Sequence, residues 1–121
     1  MLLDSSAWIE LIALGPLAKR VEDETKFASI VVPTIVLFEV YRKIKRSASE
    51  DLALSAVALM SQHEVLALDA ETSLNAADLS IEHGLAMADS IVVAHAVAKD
   101  AILVTLDNDF AALAFAKVLR S

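Results

Sequence analysis

Short apolar runs, separated by stretches long enough for helices, constrain this chain more than any other feature. Met1 to Leu3, Ala28 to Val32, Val65 to Leu68 and Ile102 to Leu106 are three to five residues long, the length of buried strands and not of helices. Ala116 to Leu119 is a candidate fifth strand. Between them the punctuation favours helices. Ser5 or Ser6 offers a cap for a first helix to about Leu14, which Gly15-Pro16 breaks. Leu17 to Thr25 carries Lys19, Arg20, Glu22, Asp23 and Glu24, a solvated second helix with Pro16 in its first turn. Thr34 caps a third helix to about Lys45, after Pro33 closes the second strand. Ser47 or Ser49 opens a fourth ending near Gln62, with the apolar Leu52, Ala56, Leu59 and Met60 recurring at helical spacing. Asp69 caps a fifth, Ala70 to His83, ended by a left-handed Gly84. A sixth runs from about Met87 to Lys99, and Asp109 caps a short turn after the fourth strand. Strands that alternate with helices form a parallel sheet covered on both faces. The expectation is one three-layer α/β domain over residues 1–121, its parallel sheet of four or five strands flanked by helices.

The composition can build such a core unaided, since 57% of the residues are hydrophobic against roughly 45–50% in an average soluble domain. Cysteine is absent, which removes disulfides and thiolate metal sites. No apolar stretch approaches the roughly 20 residues of a membrane span; the longest, Ile30 to Phe38, is interrupted by Pro33 and Thr34. The opening Met1-Leu2-Leu3-Asp4 lacks the basic start and cleavage site of a signal peptide. These features lead to the expectation of a soluble cytoplasmic protein with no membrane partner.

The carboxylates supply the functional argument. In open α/β sheets, ligands bind beyond the carboxyl ends of the strands. Asp4 directly follows the first strand and Asp107 the fourth. Glu39 lies in the second turn of the helix that leaves the second strand at that same edge. The sixth helix leads into the fourth strand, so it must descend to that strand's start, and its first turn, with Asp89, lies at the top. Asp4, Glu39, Asp89 and Asp107 therefore converge, with Asp109 close by. Crowded carboxylates raise one another's pKa unless a cation relieves the repulsion. Mg²⁺ or Mn²⁺ prefers such hard oxygen donors and suits phosphodiester hydrolysis. Asp4, Asp89, Asp107 and Asp109 are the candidate ligands, and Asp4, Glu39, Asp89 and Asp107 the candidate catalytic acids. Ser6 and Thr105 flank them with hydroxyls. His63, His83 and His95 lack ligand spacing.

Each acid also has a plainer use. Asp4 can cap the first helix, Asp107 can serve a turn, and Asp109 fits a cap as well as a ligand. Glu39 can pair with Arg42 or Lys43 one turn on, an interaction worth only about 0.2–0.5 kcal/mol. Asp89 resists such readings, because it lies among Leu85, Ile91, Val92, Val93 and Ala96, where an unpaired carboxylate is costly. The net charge of −7, from 17 acidic and 10 basic residues, opposes a nucleic-acid substrate. Without the five site acids the balance is 12 against 10, or −2, and four bases fall in one run: Arg42, Lys43, Lys45 and Arg46. That run can hold RNA phosphates or simply complement the negative end of its helix.

Four segments in order resemble the PIN-domain family, specifically VapC-type toxins of toxin–antitoxin pairs: Leu3-Asp4-Ser5-Ser6-Ala7-Trp8-Ile9-Glu10, Val36-Leu37-Phe38-Glu39-Val40, Leu85 to Ala94 around Asp89, and Leu103-Val104-Thr105-Leu106-Asp107-Asn108-Asp109-Phe110. The resemblance implies strand order 3-2-1-4-5, Mg²⁺- or Mn²⁺-dependent endonucleolytic cleavage of single-stranded RNA, a homodimer, and a small antitoxin that inserts a peptide into the active-site groove. It leaves open whether Asp107 or Asp109 is the fourth ligand. Two other readings compete. A phosphoacceptor receiver domain would use Asp69 after the third strand, supported by Thr105 and Lys117. A PIN-like module could also bind without cleaving.

Overall fold

The computed structural model describes residues 1–120. At its centre lies β1 (Leu2–Leu3), parallel to β2 (Val31–Pro33) on one side and β4 (Leu103–Thr105) on the other. Leu2 is in register with both Val31 and Leu103. β3 (Glu64–Leu66) pairs with β2, and β5 (Ala116–Val118) with β4, again in parallel. The order is β3-β2-β1-β4-β5, as expected, and the candidate fifth strand is real. Every residue of the three inner strands is buried, whereas the edge strands stay partly exposed. Continuous burial is what a parallel sheet covered on both faces imposes.

Six helices provide the cover: α1 (Ser5–Ile12), α2 (Ala18–Thr25), α3 (Thr34–Ser47), α4 (Glu50–Met60), α5 (Ala70–His83) and α6 (Met87–Ala98). They pack chiefly as the pairs α1–α2, α3–α4 and α5–α6. Leu2, Leu3, Trp8, Val32, Val36, Val40, Met60, Val92, Val93, Leu103, Val104 and Phe110 form the main core. Among the described residues no single helix is long and apolar enough to cross a membrane; α5 and α6 would reach that only together, across a 114° bend.

Several local expectations need correction. Asp4, not Ser5 or Ser6, caps α1, its side chain accepting from the Ala7 N–H. Leu14, at φ 54°, takes the left-handed turn after α1. Pro16 precedes α2, and Leu17 is that helix's cap residue. Pro33 is the last residue of β2 and the cap residue of α3; its φ of −62° serves both, and Thr34 begins the helix. Asp107, not Asp109, caps the 3-10 turn Asn108–Phe110. Ser49 caps α4, Asp69 caps α5, and Gly84 ends α5 at φ 66°.

α4 buries only half of its helically spaced apolar set, Ala56 and Met60. Ala53, Ala56 and Met60 are buried, while Leu52 is 57% and Leu59 43% exposed. The helix is apolar nearly all round, so spacing alone does not select a face. Its alanines allow a close approach to α3, and the larger leucines border a groove of about 360 Å³ against α1 and α3.

Candidate metal centre

The carboxyl ends of β1 and β4 lie side by side because Leu3 is in register with Val104. Asp4 leaves β1 and accepts three hydrogen bonds. Its Oδ1 takes the Ser6 hydroxyl at 2.6 Å and the Ala7 N–H at 3.0 Å. Its Oδ2 takes the Thr105 hydroxyl. Each hydroxyl in turn accepts from the backbone beyond β4: Leu106 N–H to Ser6 Oγ at 3.0 Å, and Asp107 N–H to Thr105 Oγ1 at 2.9 Å. Two amide-to-hydroxyl-to-carboxylate chains thus tie β1, α1 and β4 together. Ser6 and Thr105, expected as flanking hydroxyls, are the links.

Asp89, in the first turn of α6, and Asp107 and Asp109, after β4, each offer a carboxylate oxygen within 4.8 Å of the other two. Like charges so spaced repel, and the repulsion is weakened where Asp109 is open to salt and water. Three hard oxygen donors in this arrangement fit a Mg²⁺ or Mn²⁺ ion. Among the described residues no histidine joins them; His95 is buried in α6, and His63 packs at 5.8 Å from the Trp8 ring.

Asp4 and Glu39 stand beside this group and not within it. Each carboxylate oxygen has about two acceptor directions. Oδ1 of Asp4 has both filled and Oδ2 one, so one direction remains. Electrically the five acids form one neighbourhood. Burial pushes the Asp89 carboxyl above its ordinary pKa, and the charges of Asp107, Asp109 and Asp4 add to the rise. Burial likewise raises Glu39, helped by Asp89 and Asp4, while the nearby Ser5 hydroxyl opposes the rise. Asp4 is raised by burial and by Asp107, against the pull of its three hydrogen bonds.

The plainer readings now divide. Asp4 does cap α1, and Asp107 holds the turn by accepting from the Asp109 N–H at 2.9 Å; neither role consumes the charge. Among the described residues Glu39 forms no ion pair with Arg42 or Lys43. It lines a groove of about 750 Å³ with Ser5, Ser6, Phe38, Arg42, Lys43 and Arg46. Lys45 turns aside, hydrogen-bonded to Tyr41 at 3.3 Å and 3.7 Å from Glu50. Phe38 and Ser5 had no part in the expected site; the only advance sign of Phe38 is its position one turn before Arg42. The receiver reading fails on topology. A receiver places its third strand centrally in the order 2-1-3-4-5, whereas β3 is an edge here. Asp69 is occupied capping α5, its side chain accepting from the Thr72 N–H at 2.8 Å.

Comparison with known proteins agrees with this architecture. A toxin–antitoxin complex from Klebsiella pneumoniae superposes with TM-score 0.83 at 20% identity, covering 97% of this chain and 95% of that one. VapC20 of Mycobacterium tuberculosis, described as a sarcin–ricin loop cleaving toxin, gives 0.78 at 22% identity over 94% and 95%. VapBC2 of Rickettsia felis, bound to a DNA fragment from its promoter, gives 0.76 at 18% identity over 98% and 96%. Such identities carry the fold alone. No curated protein sequence matches significantly. The PIN domain sequence profile matches residues 1–116, a span that holds all five acids and every strand but the end of β5, and the chain belongs to the PIN-domain family.

Proposed function

We propose that the chain is a metal-dependent endoribonuclease, active as one domain over residues 1–121 and serving as the toxin of a toxin–antitoxin pair. The observation that carries the reading is the approach of Asp89, Asp107 and Asp109 to within 4.8 Å, next to the half-satisfied Oδ2 of Asp4. Asp89, Asp107 and Asp109 would hold the ion, with the open direction of Asp4 Oδ2 available as a fourth donor. A Mg²⁺ or Mn²⁺ ion supplies Lewis-acid stabilisation of phosphate oxygens and lowers the pKa of water. The chain's own contribution is positional. The two hydroxyl chains fix Asp4, and the capped turn fixes Asp107 relative to Asp109. Glu39, its carboxyl raised by burial and by neighbouring charge, is suited to move a proton at the groove wall. Arg42, Lys43 and Arg46 meet the phosphates of the strand that lies in the groove.

The structural neighbours are toxin–antitoxin proteins, which supports a small protein antitoxin as the inhibitory partner. A homodimer in the cytoplasm completes the reading. The test is cleavage of single-stranded RNA by the purified chain with Mg²⁺ or Mn²⁺, its loss in chelator, and its loss in Asp89→Asn. Cleavage that survives either treatment refutes the metal assignment. Tight RNA binding with no cleavage under any divalent ion would identify a non-cleaving module instead.

A further inference from the structure

The face of α3 that leads away from Glu39 carries more than the acid. Glu39, Arg42, Lys43 and Arg46 are spaced i, i+3, i+4 and i+7, one side of a helix, and all four line the 750 Å³ groove. Phe38, Tyr41, Arg42 and Lys45 repeat that spacing one residue earlier and, with Arg46, line an adjoining hollow of about 440 Å³. Phe38 and the two arginines border both. Phe38 is 60% exposed although it adjoins a candidate catalytic residue. The Tyr41 ring is already faced by the Lys45 ammonium at 5.4 Å, which leaves Phe38 as the open ring of this face.

We infer that α3 is a two-lane track for a single RNA strand, with Arg42, Lys43 and Arg46 gripping phosphates and Phe38 stacking the base nearest the acidic centre. The inference deepens the ribonuclease reading and rests on it. Charge selects the occupant. The chain as a whole is at −7, yet among the described residues Arg42, Lys43 and Arg46 form no ion pair, so this face is a local cationic strip beside an acidic pit. A polyanion with apolar faces, whose backbone enters through cations and would end where Asp89, Asp107 and Asp109 could hold a divalent ion, fits both parts. From Glu39 to Arg46 the helix advances about 10 Å, room for a few nucleotides and no more. Stacking on Phe38 needs an unpaired base with a free face, which a duplex does not offer. The track therefore selects single strands without reading their sequence along the phosphate lane.

Fluorescence tests this directly. The native Trp8 is 2% exposed and out of reach of a ligand, so Phe38→Trp installs the one accessible indole. In chelator, to prevent cleavage, a short single-stranded RNA oligonucleotide should quench that indole on binding, and a duplex of equal length should not. By anisotropy of labelled RNA, Phe38→Ala should weaken binding about tenfold and Phe38→Tyr should restore it. Native affinity in Phe38→Ala, or unchanged emission at RNA saturation, overturns the track. So does equal quenching by the duplex, by an acidic peptide in place of RNA, or by raising protein concentration alone. Cleavage is measured separately with Mg²⁺. Quenching without cleavage keeps the track and removes the nuclease, whereas cleavage without quenching does the reverse.

Discussion

The hydroxyl of Thr105 donates to the carboxylate of Asp4 across a sequence separation of 101 residues, while accepting from the Asp107 N–H at 2.9 Å. One side chain at the end of β4 thereby fixes an acid of β1 and the start of the acidic turn. Thr105 is wholly buried, so Thr105→Val keeps the volume and removes both bonds. A buried group left without its partner costs about 1–3 kcal/mol. Chemical denaturation should show a loss of that size, and Thr105→Ser should recover most of it. A Thr105→Val protein as stable as the parent would show that this link is idle.

Topology made much of the site legible in advance. Asp4 and Asp107 follow adjacent strands, and the direction of α6 is forced by β4, which brings Asp89 to the same edge. What the sequence does not show is which lone pairs are already spent. Asp4 stands outside the closest carboxylate group, its side chain bonded to Ser6, Ala7 and Thr105, and no local pattern near position 4 reveals the tie to Thr105 or the Leu106 N–H that holds Ser6. The caps shifted for a related reason: Asp4 or Ser6, and Asp107 or Asp109, are equally good caps in isolation, and the strand ends decide between them. The inner face of α4 was illegible because leucine and alanine alternate without a polar side. Phe38 escaped because an aromatic residue in an apolar run reads as core until its neighbours are placed.

The acids of this edge should invert the usual response to pH when no divalent ion is present. Asp89, Glu39 and Asp4 all have carboxyls raised, in each case first by burial. Between the ordinary carboxylate pKa near 4 and the raised values, the folded state binds more protons than the unfolded chain. Stability then falls as pH rises through that window and is fully present below it. In chelator, the melting temperature should climb as pH drops from 7 into the upper part of this window. Asp69, its pKa lowered chiefly by hydrogen bonding to Thr72, acts oppositely at the acid end. Asp89→Asn should flatten the climb and, at pH 7, raise the melting temperature. Asp4→Asn should not, because its carboxylate is the acceptor for two hydroxyls and a helix cap. A flat profile in the parent protein contradicts the crowding argument.

Divalent ions should remove that instability by binding the folded state alone. At a hundredfold excess over the dissociation constant, such binding stabilises by about 2.7 kcal/mol. Titrating Mg²⁺ or Mn²⁺ into chelator-treated protein should therefore raise the melting temperature. Asp89→Asn, Asp107→Asn and Asp109→Asn should each blunt the gain, because their oxygens lie within 4.8 Å of one another. Asp69→Asn, at the cap of α5, is the control and should retain it. An equal gain in all four variants would mean that the ion binds elsewhere.

The basic run of α3 should divide in its response to salt. Lys43 lines the groove, whereas Lys45 is held by Tyr41 and Glu50 beyond its rim. Each phosphate neutralised on a single strand contributes about −0.7 to the slope of log affinity against log salt. Measured in chelator with a short single-stranded RNA, Lys43→Ala and Arg46→Ala should each make that slope shallower by about this amount. Lys45→Ala should leave it nearly unchanged, because its ammonium is already 3.7 Å from a carboxylate and does not face the groove. Helix content offers an independent check, since Lys45 and Arg46 both lie in the last turn of α3 and would affect it alike if their role were only to complement the helix end. A purely helix-stabilising role predicts similar losses of stability for Lys45→Ala and Arg46→Ala and no difference in salt slope. A nucleic-acid role predicts a shallower slope for Arg46→Ala than for Lys45→Ala, and equal slopes for Lys43→Ala and Lys45→Ala would exclude it.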